Sequence, residues 1–340
     1  MKLKAFFQKK EVTPSFKRYG VEAMGMMTLG LFSSLVMGLI LIEIGRLADL
    51  EFLMTMGHWA QGATGVAIGV AVAYSLKAPP LVMFAAAAVG FAGAYVGGPH
   101  NVAGAFIAAL AGTELGKLVS KETKVDIIIT PAVTLISGMG VAMLVGEPIR
   151  RFVVTVGDFI MWATDLQPIL MGLVIAVVMG MALTSPISSA AIAIMLGLDG
   201  IAAGAAVAGC AANMIGFAVS SYRENKLNGL LSQGLGTSML QLPNIMKNPR
   251  IWIPPIIASA VVGPLSAAVF RMENIPTGAG MGTSGLVGQF GTLTAMGYYP
   301  IVFVQIGLVH FILPAAISLA VSEFMRKKQW IKFGDMALGA

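Results

Sequence analysis

Charge is what this sequence has least of. Only 11% of its 340 residues are Asp, Glu, Lys or Arg, where a soluble domain carries about a quarter. One run, residues 274–322, has none at all. With 57% hydrophobic residues and a mean hydropathy of +0.84, the chain falls outside the soluble globular class and belongs in lipid. Alternation of apolar and polar residues is also missing. The apolar runs are continuous, which excludes a barrel and leaves helices, because a spanning segment must pair every backbone donor and acceptor.

Cysteine is nearly absent. Cys210 alone cannot form an internal disulfide, and its apolar surroundings in sequence suit a small packing residue. The three histidines, His58, His100 and His310, have no ligand spacing, and no H-E-x-x-H is present. Neither a metal site nor a cofactor is expected, and no catalytic Ser-His-Asp set can be drawn. A phosphate-cradling G-x-x-x-x-G-K-[ST] is absent as well. The net charge of +6 does not point to nucleic acid. Its lysines and arginines gather at the termini and in a few loops, as on cytoplasmic faces. No removable signal peptide is expected, since the first twenty residues are polar and basic and precede a full-length apolar run.

What is present is a series of apolar stretches. They predict an all-α polytopic membrane protein of about ten transmembrane helices, with one or more re-entrant hairpins. The expected spans are 21–44, 53–76, 81–97, 102–119, 127–146, 167–184, 187–198, 200–220, 251–270 and 300–324. Residues 187–198 are short for a crossing, which needs ~20 residues. Gly62, Gly65 and Gly69 are expected to allow close helix packing. Residues 152–165 mix large apolar side chains with Asp158 and Asp165, and read as an in-plane interfacial helix. The loop 221–250 contains LLSQGLGTSMLQLP, apolar enough to dip into the protein. The expected division is a basic amphipathic cytoplasmic segment at 1–20, a transmembrane domain at 21–325 and a cytoplasmic tail at 326–340. Two basic termini place both ends in the cytoplasm of a multi-pass cell-membrane protein.

One stretch asks for a separate explanation. Residues 278–291 read GAGMGTSGLVGQFG, with six glycines and no charge. Each glycine costs a helix roughly 1 kcal/mol relative to alanine. Such backbone survives at membrane depth only when protein shelters it or a wet cavity borders it. The reading is a re-entrant hairpin whose glycines allow close backbone approach, with Thr283, Ser284 and Gln289 as neutral hydrogen-bonding groups. Neutral groups suit a neutral polyhydroxylated ligand better than an ion; the alternative is a tight helix–helix seam. A second interruption, Leu183-Thr184-Ser185-Pro186-Ile187-Ser188-Ser189, breaks another helix, and paired broken helices point to a transporter site near the midplane. Ser185 and Ser188 are candidates there, against back-bonding to their own helix.

Polar groups at depth add candidates. His100 and Asn101 follow Gly97-Gly98-Pro99, and Asn101 can cap the next helix. Asn213 lies within an apolar run. Glu114 and Lys117 stand three apart, the spacing of a local ion pair. His310 reads as structural.

Five segments carry a resemblance to a known family: GGPHNVAGAF (97–106), KVDIIITPAVTLISG (124–138), ALTSPISSAAIA (182–193), GLGTSMLQLPNIMKNPRIWIPP (234–255) and NIPTGAGMGTSGLVGQ (274–289). The chain resembles the membrane-embedded enzyme IIC component of sugar phosphotransferase systems, with the isolated-chain, perfringolysin-regulator type as the nearest branch. The resemblance covers nearly all of residues 15–335. It implies a ten-helix homodimer, elevator-like movement of a sugar and phosphorylation by a separate IIB protein. By position His100 matches the histidine of the family's substrate region. Gly282-Thr283-Ser284-Gly285 stands where sugar-transporting members carry Gly-Ile-Thr-Glu, so the carboxylate expected there is missing. No phosphorylation site on this chain is implied. The expected function is transport of a small hydrophilic solute, a sugar or related compound, bound by His100, Asn101, Thr283, Ser284 and Gln289, with Ser185, Ser188 and Asn213 facing the same cavity. The alternatives are a membrane sensor or regulator with this fold, and a facilitator not coupled to phosphorylation.

Overall fold

A computed structural model describes residues 2–96 and 101–338. Helix dominates, and among the described residues the only β pairing is an isolated antiparallel bridge between Gly200 and Asn274. Six described helices are long and apolar enough to cross a membrane, at Lys17–Arg46, Val102–Val119, Asp126–Thr164, Gly200–Ser220, Pro249–Val269 and Pro300–Lys327. Thr64–Ser75, Pro80–Tyr95 and Pro168–Thr184 are shorter apolar helices. The chain divides into two compact units, Met1–Phe152 and Val153–Ala340.

In the first unit, helix α1 (Lys2–Lys9) precedes α2 (Lys17–Arg46), α3 (Glu51–Gly62), α4 (Thr64–Ser75), α5 (Pro80–Tyr95), α6 (Val102–Val119) and the start of α7 (Asp126–Thr164). The expected span at 53–76 is two helices, because the chain breaks at Ala63 and Thr64 Oγ1 donates to the Gln61 carbonyl at 2.7 Å. Gly65 and Gly69 do bring backbones together. A Cβ on Gly69 would lie 2.1 Å from the Ala86 carbonyl oxygen, and one on Gly65 2.6 Å from that of Gly90. Gly62 meets nothing within 4 Å and is no part of that seam.

Buried charge in this unit is knitted to the N-terminal segment. Lys117 Nζ donates to the carbonyls of Glu11 (2.8 Å) and Leu76 (2.9 Å) and to Glu114 Oε2 (3.2 Å). Arg18 donates to the same Leu76 carbonyl at 3.0 Å and stands 3.9 Å from Glu114. The i,i+3 pair read from the sequence is therefore one edge of a larger ionic network.

Helix α7 departs from expectation. A span followed by a separate in-plane helix was expected, whereas one helix runs unbroken for 39 residues with Pro131 and Pro148 inside it. At 1.5 Å per residue it rises about 58 Å, nearly twice a ~30 Å hydrocarbon core. Glu147 bridges the suspected break, pairing with Arg150 at 2.7 Å and Arg151 at 2.9 Å. Such i,i+3 and i,i+4 pairs support helix locally.

In the second unit, α8 (Pro168–Thr184), α10 (Gly200–Ser220) and α12 (Pro249–Val269) pack on one another. A Cβ on Gly209 would lie 1.9 Å from the Ala176 carbonyl oxygen, and one on Gly263 2.2 Å from that of Gly172. Ile175, Met179, Ile192 and Met214 are wholly buried in the core of this unit. Between α8 and α10, α9 (Ser189–Met195) has seven residues. It rises about 10 Å, so the expected short crossing at 187–198 is not a crossing, and the count of ten loses that member.

After α10, helix α11 (Tyr222–Leu231) leads into a folded-in loop. Gln233, Ser238 and Gln241 are fully buried there, as the apolar loop sequence suggested. The C-terminal tail holds it from outside. Gln241 Nε2 and Asn225 Nδ2 donate to the Met336 carbonyl at 2.9 and 2.8 Å, and Asn244 Nδ2 to that of Ala337 at 2.9 Å. Helix α13 (Val287–Met296) and the last helix α14 (Pro300–Lys327) complete the unit.

Candidate functional site

The glycine stretch folds as a helix–turn–helix hairpin. A short helix, Pro276–Ala279, leads through a turn to a 3-10 turn, Ser284–Leu286, and then into α13. Residues 278–291 are buried or half-buried except for Leu286, and Thr277 and Thr294 beside them are exposed. It is neither an ordinary span nor a hydrated surface loop. Gly282 (φ +54°) makes the tip, and a Cβ there would sit 2.7 Å from the Cys210 carbonyl carbon. The hairpin thus rests on the backbone of α10, where only glycine fits. Leu286 holds a left-handed conformation at φ +62°, costly for a γ-branched residue and of the kind that gathers at functional sites.

Asn274, which nothing in the sequence singled out, closes the hairpin. Its Nδ2 donates to the Gly288 carbonyl (2.8 Å) and to Thr292 Oγ1 (3.0 Å), and its Oδ1 accepts from the Ile275 amide (2.7 Å). Gly278 and Gly291 leave the space its side chain occupies, for a Cβ on either would fall 2.2–2.3 Å from Asn274 Oδ1. These glycines serve close packing of protein on protein, the alternative weighed for them from the sequence.

The two interrupted segments meet. Ser189, at the start of α9, donates its hydroxyl to the Gly280 carbonyl at 2.6 Å. Thr283 is fully buried and donates to the Gly234 carbonyl of the folded-in loop. Ser284 is buried at the start of the 3-10 turn. Gln289 Nε2 bonds His310 Nδ1 of α14 at 3.1 Å, while Gln289 Oε1 and His310 Nε2 have no partner among the described residues.

The remaining candidates are placed as follows. Asn213 is a fully buried cross-brace. Its Oδ1 accepts from Trp252 Nε1 (3.1 Å) and Thr184 Oγ1 (3.3 Å), and its Nδ2 donates to Ser259 Oγ (3.0 Å). Thr184 also bonds Ser238 Oγ at 2.8 Å. The Asn213 amide is thereby committed to protein, joining α8, α10 and α12. Ser185 donates back to the Met181 carbonyl at 2.8 Å, the local bond common for such residues. The Ser188 carbonyl accepts the Ile192 amide at 3.0 Å and opens α9. Asn101 belongs to the first unit, where it caps α6: Oδ1 accepts from the Gly104 amide and Nδ2 donates to the Val96 carbonyl, both at 2.8 Å. His100 lies outside the described residues. Cys210 is buried, with Sγ 3.4 Å from the Met179 carbonyl. A cavity lined by Gln61, Thr64, Ile68, Ala94, Tyr95 and Val102 in the first unit has about 10 Å³, room for no more than one water.

The family profile for the phosphotransferase system, EIIC, matches residues 21–338. The chain belongs to this family. It is thereby a multi-pass membrane protein of the phosphotransferase system, in a family of sugar transport. Comparison with curated proteins and with solved structures gave no match. Of the site, the sequence missed Asn274, Thr184, Ser238, Ser259 and Trp252. All are polar residues in or beside apolar runs, and their partners lie too far along the chain for any local spacing to signal them.

Proposed function

We propose that this enzyme IIC chain moves a neutral, polyhydroxylated sugar or a related compound across the cell membrane, with the hairpin at 276–296 as its substrate-gripping element. The single observation that carries this is the protein-sheltered hairpin, bonded through Ser189 to the other interrupted segment and furnished with neutral polar groups only. Thr283, Ser284 and Gln289 contact solute in this reading, and His100 and Asn101 are the candidate solute-binding residues of the first unit. Ser185, Ser188 and Asn213 border the same region. The hairpin enters and leaves on one side of the bilayer. The working cycle is elevator-like alternating access by a homodimer with cytoplasmic termini, and phosphate arrives through a separate IIB protein. The regulator alternative required the loop 221–250 as a docking face, and the C-terminal tail already engages that loop.

Uptake of labelled sugars into proteoliposomes, with and without IIB and the general phosphotransfer proteins, tests the proposal. Accumulation only with the phosphotransfer proteins supports coupled transport. Equilibration without them makes the chain a facilitator. Absence of uptake under both conditions removes the transport reading. Thr283→Val and His100→Ala are expected to abolish solute binding without unfolding the protein, and unchanged affinity in both would remove those residues from the site.

A further inference from the structure

His310 is wholly buried in α14, inside a turn, Gly307–Ile312, that widens to π-type hydrogen bonding. Such turns recur at functional positions. Its ring bonds the side-chain amide of Gln289, itself 6% exposed, at 3.1 Å. The outer atom of each group, Gln289 Oε1 and His310 Nε2, has no partner among the described residues. Buried polar groups ordinarily find one.

We propose that Gln289 and His310 together form one recognition position for a hydroxyl group, filled by a hydroxyl of a neutral sugar or polyol when solute is bound and by water otherwise. The inference rests on reading the hairpin as the substrate element. Its logic is the inventory of donors and acceptors. With a neutral ring, two arrangements satisfy the bond between the residues. If the amide NH₂ donates to Nδ1, the free atoms are an acceptor, Oε1, and a donor, Nε2–H. If the amide is turned over and Nδ1–H donates to its oxygen, the free atoms are a donor, NH₂, and an acceptor, Nε2. Both leave at least one donor and at least one acceptor. A simple cation needs acceptors alone and a deprotonated anion needs donors alone. A hydroxyl offers both. The sequence contributes no charge here either, since residues 274–322 contain none. A site built to bond a hydroxyl rejects the analogue that lacks it by a large factor, because its own polar groups are then left unpaired.

The test uses the full chain in nanodiscs and a panel of hexoses, hexitols and their monodeoxy analogues, read by equilibrium binding. Wild type is expected to prefer one parent compound over one of its monodeoxy analogues by tenfold or more. Gln289→Leu and His310→Phe should bind the parent as weakly as that analogue, with affinity for the analogue unchanged. Nitrogen-15 NMR of histidine-labelled wild type gives a second readout: the His310 Nε2 signal should move with the parent compound and stay fixed with the analogue. Variants that keep the discrimination overturn the proposal, as does an Nε2 signal that no bound solute moves. If wild type binds nothing in the panel, the sugar reading of the hairpin fails by itself. The ring signal then judges the pair alone: a hydrogen-bonded Nε2 supports a water-filled hydroxyl position, and an unbonded one refutes it.

Discussion

Two buried polar networks, one in each unit, are built in opposite styles. In the first, the buried groups are charged: Lys117 and Arg18 converge on Glu114 and on the Leu76 carbonyl, and the network ties Glu11–Arg18 to α4 and α6. In the second, the buried groups around the hairpin are amides, hydroxyls and an imidazole, linked as Ser238–Thr184–Asn213–Ser259 and Gln289–His310. Charges taken out of water demand fixed, complete geometry. Neutral groups tolerate rearrangement and can exchange a protein partner for a hydroxyl. In the reading proposed above, the first network anchors and the second handles solute.

The contrast breaks most visibly at Lys117. Lys117→Met leaves Glu114 buried with its main partner gone, and loss of one member of a buried pair costs about 3–5 kcal/mol. We expect a large drop in thermal stability in detergent, partly restored by adding Glu114→Gln. Asn213→Leu in the second unit strands the Trp252 N–H, while the Thr184 and Ser259 hydroxyls keep other partners, and should cost less, about 1–3 kcal/mol. Equal losses would mean that the two networks do not differ as argued.

Glycine sharpens the same comparison. Gly282→Ala places a Cβ against the backbone of α10 at a left-handed position, with a conformational cost of roughly 1–2 kcal/mol and overpacking of about 1–3 kcal/mol besides. Gly62→Ala, where nothing lies within 4 Å, is expected to stabilise the first unit by about 0.4–1 kcal/mol through the unfolded chain. Thermal unfolding of the two variants side by side measures both signs. A neutral Gly282→Ala would show that the hairpin does not rest on α10.

Which parts were legible follows from the range of the interactions. Long apolar runs located most helices because length and hydropathy are local properties. The break at Ala63 was hidden, since 53–76 is apolar on both sides of it. The continuity of α7 was hidden because its apolar run ends at Gly146, and only the structure shows Glu147 pairing with both arginines beyond it. At the site, glycine density and absent charge pointed to a sheltered hairpin, and Asn101 announced itself as a cap. The partners of Asn213 stand 39 and 46 residues away at Trp252 and Ser259, and Gln289 and His310 are 21 apart. No periodicity encodes contacts of that kind; only packing of α8, α10 and α12 with the hairpin and α14 creates them.

The smallest expected effect lies at the edge of the ionic unit, outside the spans. Glu122 pairs with Lys10, and that hydrogen-bonded ammonium holds its carboxyl below the ordinary 4.5. A carboxylate whose folded pKa is depressed contributes stability that is present above the unfolded value and is lost as pH falls through the folded one. Wild type should therefore exceed Glu122→Gln slightly in thermal stability near pH 7, and the difference should close below about pH 4.5. Glu122 is exposed, so salt should shrink the difference as well. The buried Lys117–Glu114 pair is screened far less, and the loss caused by Lys117→Met should persist at high salt. If instead salt erased the Lys117→Met loss and left the Glu122 difference intact, the ionic network of the first unit would be a surface feature, and its separation from the neutral network of the second would lose its physical basis.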